Sequence, residues 1–207
     1  MYKDILKPIM DRVVGSILLL ILVPFLIILS LIIFIHLQSS PFFVQARPGH
    51  NGKIFSLIKF KTMRDVNDTD ANLLELGERT TKLGNILRKF SIDELPGIIN
   101  IVLGHMSFIG PRPLLVDYLS LYSSQQKKRH NVKPGLTGLA QVNGRNQLSW
   151  EEKFRYDVEY AENVSFIMDL KIFIKTIFII FKINQVNQSG NMPMERFHGS
   201  KKQHKNY

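Results

Sequence analysis

The sequence predicts an α/β, mostly helical protein associated with a membrane, on three observations. An apolar run near the N-terminus carries no charge over the length of a bilayer core. Several later segments place apolar residues at helical spacing. Between them lie short β-branched and aromatic runs punctuated by glycine and proline.

The first element is the apolar run itself. From Val13 to Ile35 there is no charged residue, and at a rise of about 1.5 Å per residue such a helix can cross a hydrocarbon core of about 30 Å. Lys3, Lys7 and Arg12 precede it, as in a signal peptide, but the run is too long for one and no small-x-small cleavage site follows. Pro24 sits in mid-run, where it removes a backbone donor and crowds the preceding turn, so a kink or break is expected there. Arg47 and Lys53 follow the run, so basic residues flank both ends and the positive-inside rule names no outer end. Two arrangements satisfy these facts. One is a kinked transmembrane helix; the other is a broken helix that enters and leaves through one leaflet.

Phe42, Phe43 and Val44, then Ile54, Phe55, Leu57, Ile58 and Phe60, flank the turn Pro48-Gly-His-Asn-Gly52 and predict a hairpin within Pro41 to Lys61. Asp65 to Asp70 reads as a polar loop. Leu83, Ile86, Leu87 and Phe90 predict a short amphipathic helix, with Lys82, Arg88 and Lys89 on its other faces. A second helix is expected to start near Ser91, run through Leu95, Ile98, Ile99 and Val102, and stop at Gly104. Phe108-Ile-Gly-Pro-Arg-Pro113 forces an extended, sharply turning loop, because each proline restricts the residue before it. Leu114 to Lys127 reads as helix, and Lys133 to Arg145 as a glycine-rich loop or short strand.

Trp150 to Glu162 and Phe166 to Ile183 are the closing helices, followed from Asn184 by a polar tail expected to be partly disordered. Asp169, Lys171, Lys175 and Lys182 interrupt the last helix and argue against a second membrane span. Its three lysines share one side at helical spacing. That fits a helix lying flat at the interface with lysines reaching headgroups, and equally a core helix with one solvated edge. The domain division expected is a membrane helix over 1–36, a folded domain over 37–185 and a polar tail over 186–207.

The chain has 207 residues and a formal net charge of +10, which implies a polyanionic partner: nucleic acid, anionic headgroups or phosphorylated substrates. Cysteine is absent, so disulfides and thiolate metal sites are excluded. His36, His50, His105 and His130 are isolated from one another, and His198 and His204 lie in the tail, so no histidine pair has metal-ligand spacing. There is no Ser-His-Asp set, Walker loop or Rossmann glycine signature. Basic residues are spread along the chain without stacking aromatics, which weighs against nucleic acid.

Ser91-Ile-Asp-Glu94 admits two readings. As local structure it is a capping box, with acidic groups favoured in a first helical turn and Pro96 tolerated there. As chemistry, Asp93 and Glu94 are a carboxylate pair able to bind a divalent cation such as Mg2+, and a carboxylate beside that cation can attack phosphorus. Such a site also needs fixed cations for the phosphate oxygens. Lys59, Lys61, Arg64, Arg88, Arg112 and Arg145 lie near the hairpin, the helix start and the glycine-proline segments, and arginine suits a bidentate grip on phosphate.

Four motifs, in order, carry a family resemblance: Phe55-x-x-x-Lys-Phe-Lys-Thr-Met63, Ser91-Ile-Asp-Glu-Leu-Pro96, Met106-Ser-Phe-Ile-Gly-Pro-Arg-Pro113 and Pro134-Gly-Leu-Thr-Gly-Leu-Ala-Gln-Val-Asn-Gly-Arg145. Together they resemble the bacterial sugar transferase family, the monotopic phosphoglycosyl transferases, across the chain from Lys3 to about Gly199. The resemblance implies that Asp93 attacks the β-phosphorus of a UDP-sugar, releasing UMP, and that undecaprenyl phosphate then takes the sugar-1-phosphate. It further implies Glu94 as a magnesium ligand beside Asp93, the basic residues above as phosphate holders, and Asp157 of the segment Tyr156-Asp-Val as a further site residue.

Within the family the likeness points to UDP-diacetylbacillosamine or a UDP-N-acetylhexosamine as donor, in glycoconjugate synthesis such as protein glycosylation. It also implies a monotopic protein on the cytoplasmic face of the bacterial inner membrane, with a re-entrant helix-break-helix at Pro24 and interfacial amphipathic helices. Three positions depart from the family pattern: Val23, where a serine often precedes the membrane proline; His105, where an acidic residue commonly stands; and Leu139, where tryptophan is frequent. The rival from another class is a non-enzymatic, membrane-anchored basic protein that binds anionic lipid or nucleic acid.

Overall fold

The computed structural model describes residues 1–65, 79–144, 147–182 and 196–199. The chain divides into two compact units. One comprises Ile9–Gln45 and Ser56–Gly104; the other comprises Met1–Pro8, Ala46–Phe55 and His105–Tyr207.

In the unit of Ile9–Gln45 and Ser56–Gly104, helix α1 (Lys7–Leu37) supplies the long apolar element; its first two residues belong to the other unit. Pro24 lies inside it, and the helix is continuous through that position. The expected break is therefore not a gap in the helix. Proline's fixed φ near −65° is itself helical, and what Pro24 removes is one hydrogen bond, to the carbonyl of the residue four before it. The span from Tyr2 to Leu37 is long and apolar enough to cross a membrane by length and composition, and only 11% of its most apolar window is buried within the protein.

What is buried forms a stripe. Leu26, Leu29 and Ile33 join Phe60 and Leu87 in one core cluster, with Leu19, Leu22 and Leu37 packed beside them. These spacings of three and four put the residues on one helix face, and each fully buried side chain is worth about 1.5–3 kcal/mol.

Strands β1 (Phe42–Pro48) and β2 (Ile54–Phe60) pair as the expected hairpin, closed by a turn in which Asn51 and Gly52 take positive φ. The Phe42 and Phe60 rings stack at 5.5 Å between centroids. Helix α2 (Lys82–Lys89) is capped by Thr81, whose side chain accepts from the Gly84 N–H. A Cβ on Gly84 would overlap the Thr62 carbonyl oxygen, so glycine here lets the helix lie directly on the chain that continues β2. Only Asp65 of the polar loop expected over Asp65 to Asp70 belongs to the described residues. Helix α3 (Gly97–Val102) is shorter than expected, for reasons that lie in the acidic turn described below.

In the other unit, β3 (Ser107–Ile109) pairs in parallel with β4 (Gly135–Thr137), in the register Ser107 to Gly135 and Ile109 to Thr137. The two glycine-proline motifs of the sequence are thus joined as neighbouring strands. Cβ atoms on Gly135 or Gly138 would collide with the Gly110 backbone, which accounts for glycine at both.

The single helix expected over Leu114 to Lys127 is instead two pieces. Val116–Ser120 is a 3-10 turn, and α4 (Ser124–Lys127) begins anew at a capping box built by Ser123 and Gln126. Ser123 holds extended φ/ψ and bonds the new helix's first turn, which ends the preceding one. Helices α5 (Leu139–Val142), α6 (Trp150–Glu162) and α7 (Phe166–Lys182) follow, the last two where the periodicity placed them. Their core comprises Ile109, Val132, Tyr160, Ala161 and Ile172.

Of the tail, residues 196–199 are described. Phe197, in a stretch expected to be polar and partly disordered, is buried in an aromatic cluster with Tyr118, Tyr122 and Phe154, and its N–H donates to the Tyr118 hydroxyl.

Two buried polar groups shape this unit. Asp169 is an inward charge: Lys7 Nζ lies 2.7 Å from its Oδ2, the Tyr2 hydroxyl donates to the same oxygen, and the Tyr160 hydroxyl lies 2.7 Å from Oδ1. His130 is buried with Nδ1 3.1 Å from the Gly49 carbonyl oxygen, which requires Nδ1–H to donate. Burial, reinforced by the Arg129 charge, pushes the His130 pKa down to about 4. Folded His130 thus stays neutral where an unfolded histidine protonates, near pH 6.5. Between about 6.5 and 4 the unfolded state binds more protons, so this contribution to stability is lost as pH falls, by at most about 1.4 kcal/mol per pH unit. Thermal melts are expected to weaken from pH 6.5 downward, and His130→Gln should shrink that dependence; an unchanged slope in the variant would assign it to other groups.

Candidate active site

The acidic pair sits in a turn with an unusual start. Ser91 adopts left-handed φ/ψ (φ 56, ψ 23) and makes no side-chain cap. An N-cap needs extended backbone, so the capping-box expectation is corrected. Ser91 instead terminates α2, its N–H bonding the Arg88 carbonyl. A non-glycine residue there costs roughly 1–2 kcal/mol, the kind of local strain that collects at functional sites.

Ile92–Glu94 then forms a 3-10 turn, with Glu94 N–H bonding Ser91 O and Leu95 N–H bonding Ile92 O. Pro96 has no N–H for a helical ladder, so α-helix begins only at Gly97. Asp93 and Glu94 are thereby held half-buried on a short tight turn. Ile92 and Leu95, on either side of them, pack against the cluster of Leu26, Leu29, Ile33, Phe60 and Leu87. The acidic turn and the apolar helix thus share one core.

Lys59 of β2 reaches this turn, its Nζ 2.7 Å from Glu94 Oε1, with both side chains mostly shielded. That pairing is fixed from behind by Asn100, a residue sequence reasoning passed over. Buried in α3, Asn100 accepts from Ile58 N–H at 3.1 Å and donates to Ser56 O at 2.8 Å, acting as a third strand along β2. A polar residue among Ile98, Ile99 and Ile101 was the signal that could have found it.

Arg88 Nε donates to Thr62 Oγ1 at 2.8 Å, which anchors the guanidinium at the end of α2, three residues before Ser91. Lys61 bonds Asp65 at 2.9 Å and lies 3.4 Å from Ser39 Oγ; its hydrogen bond is the main cause that holds the Asp65 carboxyl below the usual range. The Arg64 backbone bonds Arg79, beside the bridge of Met63 and Thr80. Arg145 lies outside the described residues.

Arg112 and Asp157 belong to the other unit. Asp157 is buried and accepts on Oδ2 from Arg129 Nε at 3.0 Å and Nη2 at 2.7 Å; the Arg129 Nη2 also donates to Arg112 O at 2.6 Å. Burial pushes the Asp157 carboxyl up, and the Arg129 guanidinium opposes that push. The Arg129 guanidinium also lies about 6 Å from the Tyr122 and Phe154 rings. Arg129 therefore ties the Gly110-Pro-Arg-Pro113 loop to α6 and fixes the backbone at Arg112. Sequence reasoning missed it, since one arginine in Lys127-Lys-Arg-His130 looks like a solvated charge. Among the described residues no group of three or more His, Asp or Glu is arranged to hold a metal ion.

An apolar helix that shares a core with a carboxylate turn, with Lys59 on Glu94 and Arg88 anchored nearby, fits a membrane-associated enzyme. A family profile described as bacterial sugar transferase matches residues 2–183, and the chain belongs to that family. It is 51% identical over 162 residues to the sugar transferase EpsL of Bacillus subtilis (strain 168), covering 78% of this chain and 80% of EpsL. It is 39% identical over 185 residues to the exopolysaccharide production protein ExoY of Rhizobium meliloti (strain 1021), covering 81% of each. To the UDP-glucose:undecaprenyl-phosphate glucose-1-phosphate transferase of Escherichia coli (strain K12) it is 36% identical over 185 residues, 84% of this chain and 40% of that protein. Family membership sets aside the non-enzymatic rival.

Proposed function

We propose that the protein transfers a sugar-1-phosphate from a UDP-sugar to undecaprenyl phosphate through a covalent Asp93 intermediate. The observation that carries this reading is the acidic turn built into the core of the apolar helix, with Lys59 on Glu94. An Asp93 carboxylate oxygen attacks the β-phosphorus, the bond to the α-phosphate bridging oxygen breaks, and UMP leaves. An undecaprenyl phosphate oxygen then attacks the same phosphorus, frees the Asp93 carboxylate and yields a diphosphate-linked lipid. In the unit of the acidic turn Lys59, Lys61, Arg64 and Arg88 are the proposed phosphate holders; Arg112 and Arg145 are proposed on the motif resemblance alone, and Asp157 acts by fixing the Arg112 loop through Arg129. Asp93 and Glu94 fit magnesium, which binds through one or two carboxylates plus substrate phosphates rather than an all-protein cage. When bound, the ion supplies charge neutralisation at the diphosphate.

The donor is the finer question. The motif likeness favours UDP-diacetylbacillosamine or a UDP-N-acetylhexosamine, while relatives are named for glucose and for galactose. Measuring UMP release across a panel of these UDP-sugars, with undecaprenyl phosphate present, is expected to single out one donor and to lose the signal in excess EDTA. Absence of UMP with every donor would refute the reaction, and activity undiminished by EDTA would refute the metal.

The membrane reading is a re-entrant α1 with both flanks on the cytoplasmic face, bending where Pro24 lacks its hydrogen bond. It is supported by the basic residues on both sides of the apolar run, Lys3, Lys7 and Arg12 before it and Arg47 and Lys53 after it, which favour one and the same face for its two flanks. A cysteine placed at Lys3 should label only from the cytoplasmic side; periplasmic labelling would exclude this topology.

A further inference from the structure

Helix α7 bears two kinds of surface. Its inner side holds Ile172, Asp169 and Thr176, the last 2.8 Å from the Thr137 hydroxyl. Its outer side exposes Ile167, Phe173, Ile174 and Phe178, each 45% or more. Lys171 and Lys175, one turn apart, stand at the edge between the two. There an open groove of about 480 Å3 runs between α7 and Leu139 of α5, floored by Leu139, Met168 and Ile172 and bordered by the two lysines with Ile167 and Ile174. Lys175 is steadied at the rim, its Nζ 3.2 Å from Asn143 Oδ1.

We infer that this groove is a binding site for an anionic phospholipid, its headgroup phosphate on Lys171 and Lys175 and an acyl chain along the apolar floor. The inference rests on the membrane reading above and not on the Asp93 chemistry. Charge and shape select the occupant. A soluble anion has no use for an apolar floor, and a zwitterionic lipid gains little from two lysines with no acidic residue among the lining. An exposed apolar helix face continuous with the groove would place it at headgroup depth, where lysines extend toward phosphate.

Native mass spectrometry of the full-length protein, with phosphatidylglycerol or phosphatidylcholine of matched chains, tests this directly. The wild type is expected to retain one phosphatidylglycerol in preference to phosphatidylcholine. In Lys171→Gln/Lys175→Gln that preference should fall roughly 30-fold, the worth of two lysines at an anionic surface. Unchanged preference in the double variant would overturn the site. So would displacement of the bound lipid, one for one, by undecaprenyl phosphate, which would make the groove an acceptor pocket. UMP release by the same preparations reports on the transfer reaction separately, so failure of either reading is distinguishable.

Discussion

Asp93→Asn is expected to lose UMP release by roughly four orders of magnitude or more, the scale on which removal of a covalent nucleophile is felt, while remaining folded and in the membrane. Asparagine preserves size and shape, so the backbone bonds that build the turn, Glu94 N–H to Ser91 O and Leu95 N–H to Ile92 O, are kept. Ile92 and Leu95 keep their places on the α1 cluster. What is lost is the anionic oxygen, and a neutral amide does not displace UMP. Glu94→Gln should behave differently. It weakens the 2.7 Å contact with Lys59 without removing the nucleophile, so activity should fall less than in Asp93→Asn. Equal losses in the two variants would argue that the pair acts only as a metal or phosphate platform.

The largest stability effect is expected at Arg129 and Asp157. Both side chains are almost fully buried, at 2% and 5% exposure, and removal of one partner leaves the other charge without compensation in the interior. Breaking such a pair costs about 3–5 kcal/mol, a large part of the 5–15 kcal/mol that holds an ordinary domain. Arg129→Ala or Asp157→Asn should therefore lower the melting temperature by on the order of 10 °C. Arg129→Met combined with Asp157→Leu should recover much of it, because apolar replacements of a buried pair are often neutral. Activity need not return in that double variant, since the Arg112 carbonyl still loses its donor at 2.6 Å. A melting-temperature change of less than about 3 °C in either single variant, equivalent to about 1 kcal/mol, would move Asp157 from a structural to a substrate-facing role.

How far the sequence could be read follows the range of the interactions. The helices over Trp150–Glu162 and Phe166–Lys182 were legible because apolar periodicity is a local signal; the Ser149–Glu152 capping box that starts the first of them is a finding of the structure. The same Ser-x-x-Glu pattern at Ser91 misled, because the end of α2 forces Ser91 into left-handed φ and Pro96 delays the helix. Pattern alone does not report which neighbouring element claims a residue. Asn100, Arg129, Asp169 and Phe197 were illegible for another reason. Their partners stand 42, 28, 162 and 79 positions away, and a buried polar group or a docked tail residue looks like a surface residue until those partners are known. The acidic pair itself was visible, as were Lys59 and Arg88 near it, because their motifs are short and ordered; the contact of Lys59 with Glu94 needed the hairpin to fold.

The covalent step is tested most directly by withholding the acceptor. Protein incubated with the preferred UDP-sugar alone, then denatured and digested, should yield a peptide containing Asp93 that carries one sugar-phosphoryl group, with one UMP released per enzyme. The adduct should be absent from Asp93→Asn and should disappear from the wild type on addition of undecaprenyl phosphate. UMP release only when undecaprenyl phosphate is present, with no adduct on Asp93 at any time, would contradict the intermediate and assign direct transfer between the two substrates.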